Sequence, residues 1–211
     1  MAAGQPLRNR VRPDGELEAV PARGLFLGNR GGRIHDPATR RLAGRRWASR
    51  AWICCLLEFK DRERRVWGEG YTELFFLDEV TALSAGHRPC FECRRGVALA
   101  FAEAAAAAQA GAARPSASEL DRDLHAERLD GREKRVHRRR LGELPDAAMI
   151  ASGDDFFAVR DGRLLRWSPV GYEVAESRPV DRPVDVLTPP TSLAALAGGF
   201  RPLWHPSAEL L

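Results

Sequence analysis

Apolar and polar positions fall into distinct patterns along this chain, and each pattern predicts an element. Residues 52–59, Trp-Ile-Cys-Cys-Leu-Leu-Glu-Phe, are apolar almost throughout, as in a buried strand. Residues 71–76 read as a second strand. Asp78 is placed to cap a short helix over Glu79–Ser84, which Gly86 ends. The alanine-rich stretch 96–110 predicts a long helix, with Gly111 as its stop. Ser116 and Glu119 fit a capping box for a further helix, with Leu120, Leu124 and the neighbouring Leu129 as its apolar stripe. Beyond residue 150 the pattern becomes β-rich. Residues 156–159 and 163–167 flank Asp161-Gly162, a pair suited to a two-residue hairpin turn. A strand at 184–187 and a short helix at 192–197, ended by Gly198-Gly199, close the chain.

Four segments follow. Residues 1–50 are rich in Gly, Pro and Arg and read as short strands and loops, including a glycine-rich loop over 28–35. Residues 51–113 hold a central module and the alanine-rich helix. Residues 114–150 hold the second helix and a basic run at 132–140, a solvated turn or strand edge. Residues 151–211 form the β-rich end. The linkers are short and lack a Pro/Ser-rich hinge, so the segments are expected to pack as one unit. The fold class is α+β: a small zinc-bound central module, a long alanine-rich helix and a β-rich C-terminal segment. Trp167, Tyr172, Trp204 and His205 stand beside turns and are expected to plug the end of a small β-barrel.

Composition narrows the class. With 211 residues the chain can bury a core without disulfide staples. No apolar run approaches the roughly 18 residues of a transmembrane helix. The N-terminal residues lack the apolar centre of a secretory signal, so a cytoplasmic location is expected. Charge is uneven. Residues 1–65 carry 15 basic side chains against seven acidic, while the remainder is net acidic. Only Lys60 and Lys134 among the 33 basic residues are lysine. Arginine suits planar, bidentate contact with phosphate, and a basic N-terminal third suggests an anionic partner, with nucleic acid the commonest.

The candidate chemistry lies in the four cysteines, Cys54, Cys55, Cys90 and Cys93, all within 40 residues. Cys90-Phe-Glu-Cys93 places two thiolates where one soft metal can be held from a tight turn leading into a helix, and zinc is the default. Neighbours on a strand point to opposite faces. One of Cys54 and Cys55 is therefore expected at the metal, and Cys55 is favoured because Cys54 continues the apolar set of Trp52. His35, His125, His87 and Cys54 are the candidates for a fourth ligand, with His35 first.

Phe75-Phe76, Ala85-Gly86, Arg88-Pro89 and Cys90/Cys93 together resemble the second half of the Ada-type metal-binding domain, over residues 52–95. His87 replaces that family's usual aromatic residue. The family spaces its first cysteine pair several residues apart, whereas Cys54 and Cys55 are adjacent. The chain as a whole also resembles a bacterial protein family from which no activity carries over. The Ada resemblance implies a zinc site beside a DNA-binding surface, often attached to repair or nuclease domains.

The leading expectation is a zinc-binding protein that contacts nucleic acid in repair or processing, with phosphate contacts from Arg30, Arg33, Arg88, Arg94 and Arg95. A second reading is catalytic. His125-Ala-Glu127 with Pro89-Cys-Phe-Glu-Cys93 is similar, in inverted order, to the zinc deaminase pattern. His125 and Glu127 would then serve a metal-bound water. A third reading is a structural zinc protein that binds other proteins.

Overall fold

The computed structural model describes residues 5–61, 65–108, 113–177 and 181–211. The chain begins with β1 (Arg10–Val11) and β2 (Leu17–Glu18), followed by β3 (Phe26–Arg30). A small hairpin of β4 (His35–Asp36) and β5 (Arg41–Leu42) leads to β6 (Trp52–Leu56) and β7 (Leu74–Phe76). Helix α1 (Glu79–Ser84), strand β8 (Arg88–Pro89), α2 (Arg95–Ala107) and α3 (Ala117–Arg128) come next. After the two-stranded ribbon β9 (Leu129–Asp130) and β10 (Glu133–Lys134) runs β11 (His137–Arg140). The remaining strands are β12 (Met149–Ser152), β13 (Asp155–Arg160), β14 (Arg163–Ser168), β15 (Gly171–Ser177) and β16 (Pro183–Val186), before α4 (Pro190–Ala197).

The architecture is α+β, with two six-stranded sheets. The N-terminal sheet is mixed, in the order β2-β1-β7-β3-β6-β8. Its centre is the antiparallel pair β3–β6, in which Leu27 faces Cys55, Gly28 faces Cys54 and Arg30 faces Trp52. Alternation assigns Phe26, Gly28, Arg30, Trp52 and Cys54 to one face, and Leu27, Asn29, Ile53 and Cys55 to the other. The glycine-rich stretch is therefore partly strand. A Cβ on Gly28 would fall 2.0 Å from the Ile53 carbonyl oxygen, so only glycine lets β3 and β6 approach this closely. The turn itself is confined to Gly31 and Gly32.

The helices begin where the sequence places their caps. Asp78 accepts hydrogen bonds from the Thr81 amide (2.8 Å) and hydroxyl (2.7 Å), and all six residues of α1 are buried. Ser116 and Glu119 form a reciprocal capping box on α3. The alanine-rich helix α2 ends at Ala107, and the expected stop at Gly111 lies outside the described residues.

The C-terminal sheet is antiparallel throughout, in the order β11-β16-β12-β13-β14-β15. Asp161 (φ +47°) and Gly162 (φ +72°) make the left-handed two-residue turn between β13 and β14. The expected barrel is absent. The outer strands β11 and β15 do not pair among the described residues, and β11, His-Arg-Arg-Arg, is an exposed, charged edge of the kind that resists further pairing. Arg138 and Arg140 bond to Asp185 and Asp181 across that edge (2.6 Å each). The aromatics instead fill the space between this sheet and the helices. Trp167 donates its indole N–H to the Thr81 hydroxyl (3.0 Å), and Tyr172 meets Trp204 edge-on. One cluster of buried residues, including Leu83, Phe101, Met149, Leu165, Trp167 and Leu196, joins α1, α2, the sheet and α4.

Candidate metal centre

Short-range pairing places three sulfurs together. Strand β8 lies parallel to β6, with Pro89 in register with Cys54, and the Cys90 amide donates to the Cys54 carbonyl (2.9 Å). Cys90 therefore emerges beside Cys55, and the Cys90–Cys93 turn folds back before α2 begins. The Sγ atoms of Cys55, Cys90 and Cys93 all lie within 4.8 Å of one another. Zinc–sulfur bonds of about 2.3 Å at a tetrahedral ion put sulfurs about 3.8 Å apart. The donor set therefore fits one zinc with only small adjustment. Leu27, Ile53 and Phe75 pack around it, and Cys93 is half-buried while Cys55 and Cys90 are buried. Cys54, one residue from Cys55, points through the sheet into the apolar cluster of Phe26, Leu74 and Phe76.

The electrostatics favour one deprotonated sulfur, that of Cys90, while against the opposing bond from Cys55 the neighbouring Cys90 and burial push the Cys93 thiol up. Hydrogen bonds from the Cys55 and Cys93 thiols, with the backbone amides of Cys93 and Glu92, push the Cys90 thiol far below its ordinary range. The same contacts push Cys55 strongly upward, because three sulfurs this close cannot all be anionic without a counter-charge. A cation held there would supply that charge and keep all three as thiolates. Buried Cys54 is pushed up by desolvation.

No further His, Cys, Asp or Glu donor among the described residues joins the three sulfurs. This corrects the expectation for His35. Its ring is buried and stacked on Trp67, with Nδ1 bonded to the Thr72 hydroxyl (2.6 Å) and Nε2 to the Gly68 carbonyl (2.9 Å). Both ring nitrogens are engaged, so neither is free for a metal. His87 sits in the core between Trp52 and Phe76, away from the sulfurs. His125 and Glu127 are likewise held elsewhere. His125 meets the Trp47 ring edge-on and bonds through Nδ1 to Arg128 (3.0 Å). The Glu127 carboxylate accepts from the Thr191 amide and hydroxyl (2.8 Å each), fastening the start of α4 to α3. Glu127 closes a helix N-terminus, and it does not meet the cysteines.

The arginines divide similarly. Arg88 forms a bidentate pair with Asp121 (2.8 Å for both bonds). Arg94 is buried, lies over the Phe26 ring and bonds Glu79 at 2.5 Å. Both are occupied by internal carboxylates, so a phosphate contact from either would have to break a buried or part-buried ion pair. Arg30 is also buried, whereas Arg33 is half-buried and Arg95 is exposed. Arg33 pairs loosely with Glu69 at the surface (3.0 Å).

One group is not foreshadowed by the sequence. The guanidinium carbons of Arg30 and Arg128 lie 4.2 and 3.9 Å from the Trp52 ring centre. The Lys134 ammonium is tucked beneath them against the Ser84 carbonyl. The nearest sequence signal is Arg45-Arg46 beside Gly44, at the mouth of the cleft above Arg30. Nothing in the spacing of Arg30, Arg128 and Lys134 announces that they meet.

No family model matches the chain, and no curated protein or solved structure matches it either. No helix among the described residues is long and apolar enough to cross a membrane.

Proposed function

We propose that this protein holds one zinc ion at Cys55, Cys90 and Cys93 and contacts nucleic acid through its basic N-terminal third. The observation that carries the reading is the convergence of three sulfurs from a strand and a Cys-x-x-Cys turn. Zinc is the metal that such a thiolate set suits best. The nucleic-acid half rests on the Ada-type resemblance of Phe75-Phe76, Ala85-Gly86, Arg88-Pro89 and Cys90/Cys93, and on the excess of arginine in residues 1–65. With Arg88 and Arg94 paired internally, the phosphate contacts belong to more accessible arginines such as half-buried Arg33 and exposed Arg95.

Three thiolates on one zinc leave the centre with net negative charge. Such a centre is a weaker Lewis acid than one held by neutral histidines. Hydrolysis would also need a general base at the open vertex, and His125 and Glu127 are engaged elsewhere. The reading therefore assigns the metal to organising the module that carries the basic surface.

Two measurements test it. Protein purified without chelator should contain one zinc per chain, and a metal content near zero overturns the zinc reading. Fluorescence anisotropy with a labelled DNA duplex should give an affinity that falls steeply with salt, as counterion release requires. Binding that is absent or indifferent to salt overturns the nucleic-acid reading.

A further inference from the structure

Arg30, at the end of β3, comes from one part of the chain, and Arg128 and Lys134, at the ends of α3 and β10, come from another about 100 residues on. Arg30 and Arg128 are almost fully buried. Arg30 donates to the Gly15 carbonyl, Arg128 to the carbonyls of Gly86 (2.9 Å) and Arg50 (2.8 Å), and Lys134 to that of Ser84. The Nε atoms of both arginines are buried without a hydrogen-bond partner among the described residues. No carboxylate forms an ion pair with any of the three among the described residues. Asp14, Glu16 and Asp121 act on the cluster only from longer range.

Buried charge is normally paired, because removing an ion from water costs several kcal/mol that only a counter-charge offsets. A guanidinium does not shed its proton to escape this. The cluster therefore lacks an anion. Directly above Arg30 is a cleft of about 350 Å³, walled by the turn at Gly15 and by residues 42–46. Arg8, Arg45, Arg46 and Arg132 line it with Arg30, against the single carboxylate of Glu16. Glu16 is bonded to Arg46. Arg8 and Arg132 donate to the carbonyls of Leu17 and Gly44 (2.7 Å each), and neither has a carboxylate partner among the described residues; the same is true of Arg45.

We propose that this cleft is a binding site for a phosphomonoester, such as a nucleotide or the phosphorylated 5′ end of a strand. Several guanidinium forks around one pocket suit a tetrahedral dianion with three terminal oxygens better than a singly charged carboxylate. The volume lies in the range of small-ligand sites and exceeds what inorganic phosphate alone would fill. Arg30 forms the floor, Arg45 and Arg132 close on the phosphate from the rim, and Arg128 and Lys134 supply the field behind. The site lies on the sheet face opposite the three sulfurs and needs no metal. It goes beyond the nucleic-acid reading and does not depend on it.

Calorimetric titration of the full-length, metal-loaded protein with AMP tests the site, with adenosine as control. AMP should bind saturably and adenosine should not. Arg45→Ala and Arg132→Ala replace exposed side chains, so both variants should keep the native melting temperature. Each should weaken AMP by about tenfold. Tighter binding of a 5′-phosphorylated oligonucleotide than of AMP or its 5′-hydroxyl counterpart identifies a strand end. Equal binding of AMP and the phosphorylated strand identifies the free nucleotide. Either result supports the site. AMP binding no better than adenosine, or unchanged in both variants, overturns it. Failure of hydroxyl-ended duplex to bind removes the nucleic-acid reading alone.

Discussion

The two faces of the β3–β6 pair solve the same electrostatic problem differently. On the face of Leu27 and Cys55, three sulfurs crowd together and call for a cation. On the face of Arg30 and Trp52, two guanidiniums and an ammonium crowd together and call for an anion. Trp52 and Cys55 on one strand thus face sites of opposite polarity. The sheet keeps them apart, since Cys54 and Cys55 cannot share a face. The difference lies in cooperation with local sequence. The sulfur site uses a turn of four residues and its neighbouring strand. The cationic site is assembled from residues 30, 128 and 134, so it exists only once the chain has closed.

The largest effect is expected on the sulfur face. If the three sulfurs hold zinc as proposed, replacing Cys90 and Cys93 together by serine should take the metal content from one per chain to near zero, because two of the three protein ligands are lost. Zinc at thiolate sites contributes on the order of 10 kcal/mol of binding free energy. Elemental analysis after dialysis checks this, and retention of one zinc would move the metal away from these cysteines.

Next comes a paired cation on the Arg30 face. The Arg94–Glu79 ion pair is buried on both sides, with side-chain exposures of 3% and 1%. Arg94→Ala leaves the Glu79 charge uncompensated and should cost about 3–5 kcal/mol in denaturant unfolding. If Arg94 were instead a phosphate contact, stability would hold and only DNA affinity would fall.

Lys134→Met sharpens the contrast, because here removing a charge should help. It is expected to stabilise the ligand-free protein by about 1–2 kcal/mol, since it deletes a part-buried cation that no carboxylate pairs among the described residues. Burial, then Arg128, with Arg30 adding to it against the opposing Asp14, pushes Lys134 down to about 7. In the unfolded chain a lysine titrates near about 10.4. Between these values the unfolded state holds a proton that the folded state has lost, so stability should rise with pH from about 7 to about 10. Thermal melts of the parent protein and the methionine variant check both statements. An unchanged pH slope in the variant would assign the effect to another group.

The smallest effect concerns Glu127. Glu127→Gln keeps the shape but weakens the hold on Thr191 at the start of α4, for about 1 kcal/mol of stability. Zinc content and DNA affinity should stay at parent levels. Loss of either would return Glu127 to a functional role.

Much of the fold is legible in the chain itself, because it depends on near neighbours. The caps at Asp78 and Ser116, the Asp161-Gly162 turn and the strand around Cys54-Cys55 follow from local backbone chemistry, which sequence spacing records. The choice of Cys55 over Cys54 also rests on a local rule, the two-residue period of a strand. The parts that sequence does not decide depend on distant partners. His35 has the chemistry of a ligand, but Thr72 and Gly68 occupy its nitrogens. Arg88 and Arg94 have the chemistry of phosphate contacts, and only the fold shows that Asp121 and Glu79 lie against them, which leaves their role toward phosphate to the binding experiment. The glycine at position 28 reads as a turn, yet β6 approaches so closely that only glycine fits in the strand.

The sequence by itself therefore determined the elements, their caps and the cysteine turn, since hydrogen bonds and periodicity over a few residues decide them. Tertiary structure decided which charges are spent. Whether an arginine is paired with a carboxylate, stacked on Trp52 or left facing a cleft depends on which distant segments the fold brings against it, and no spacing rule encodes that.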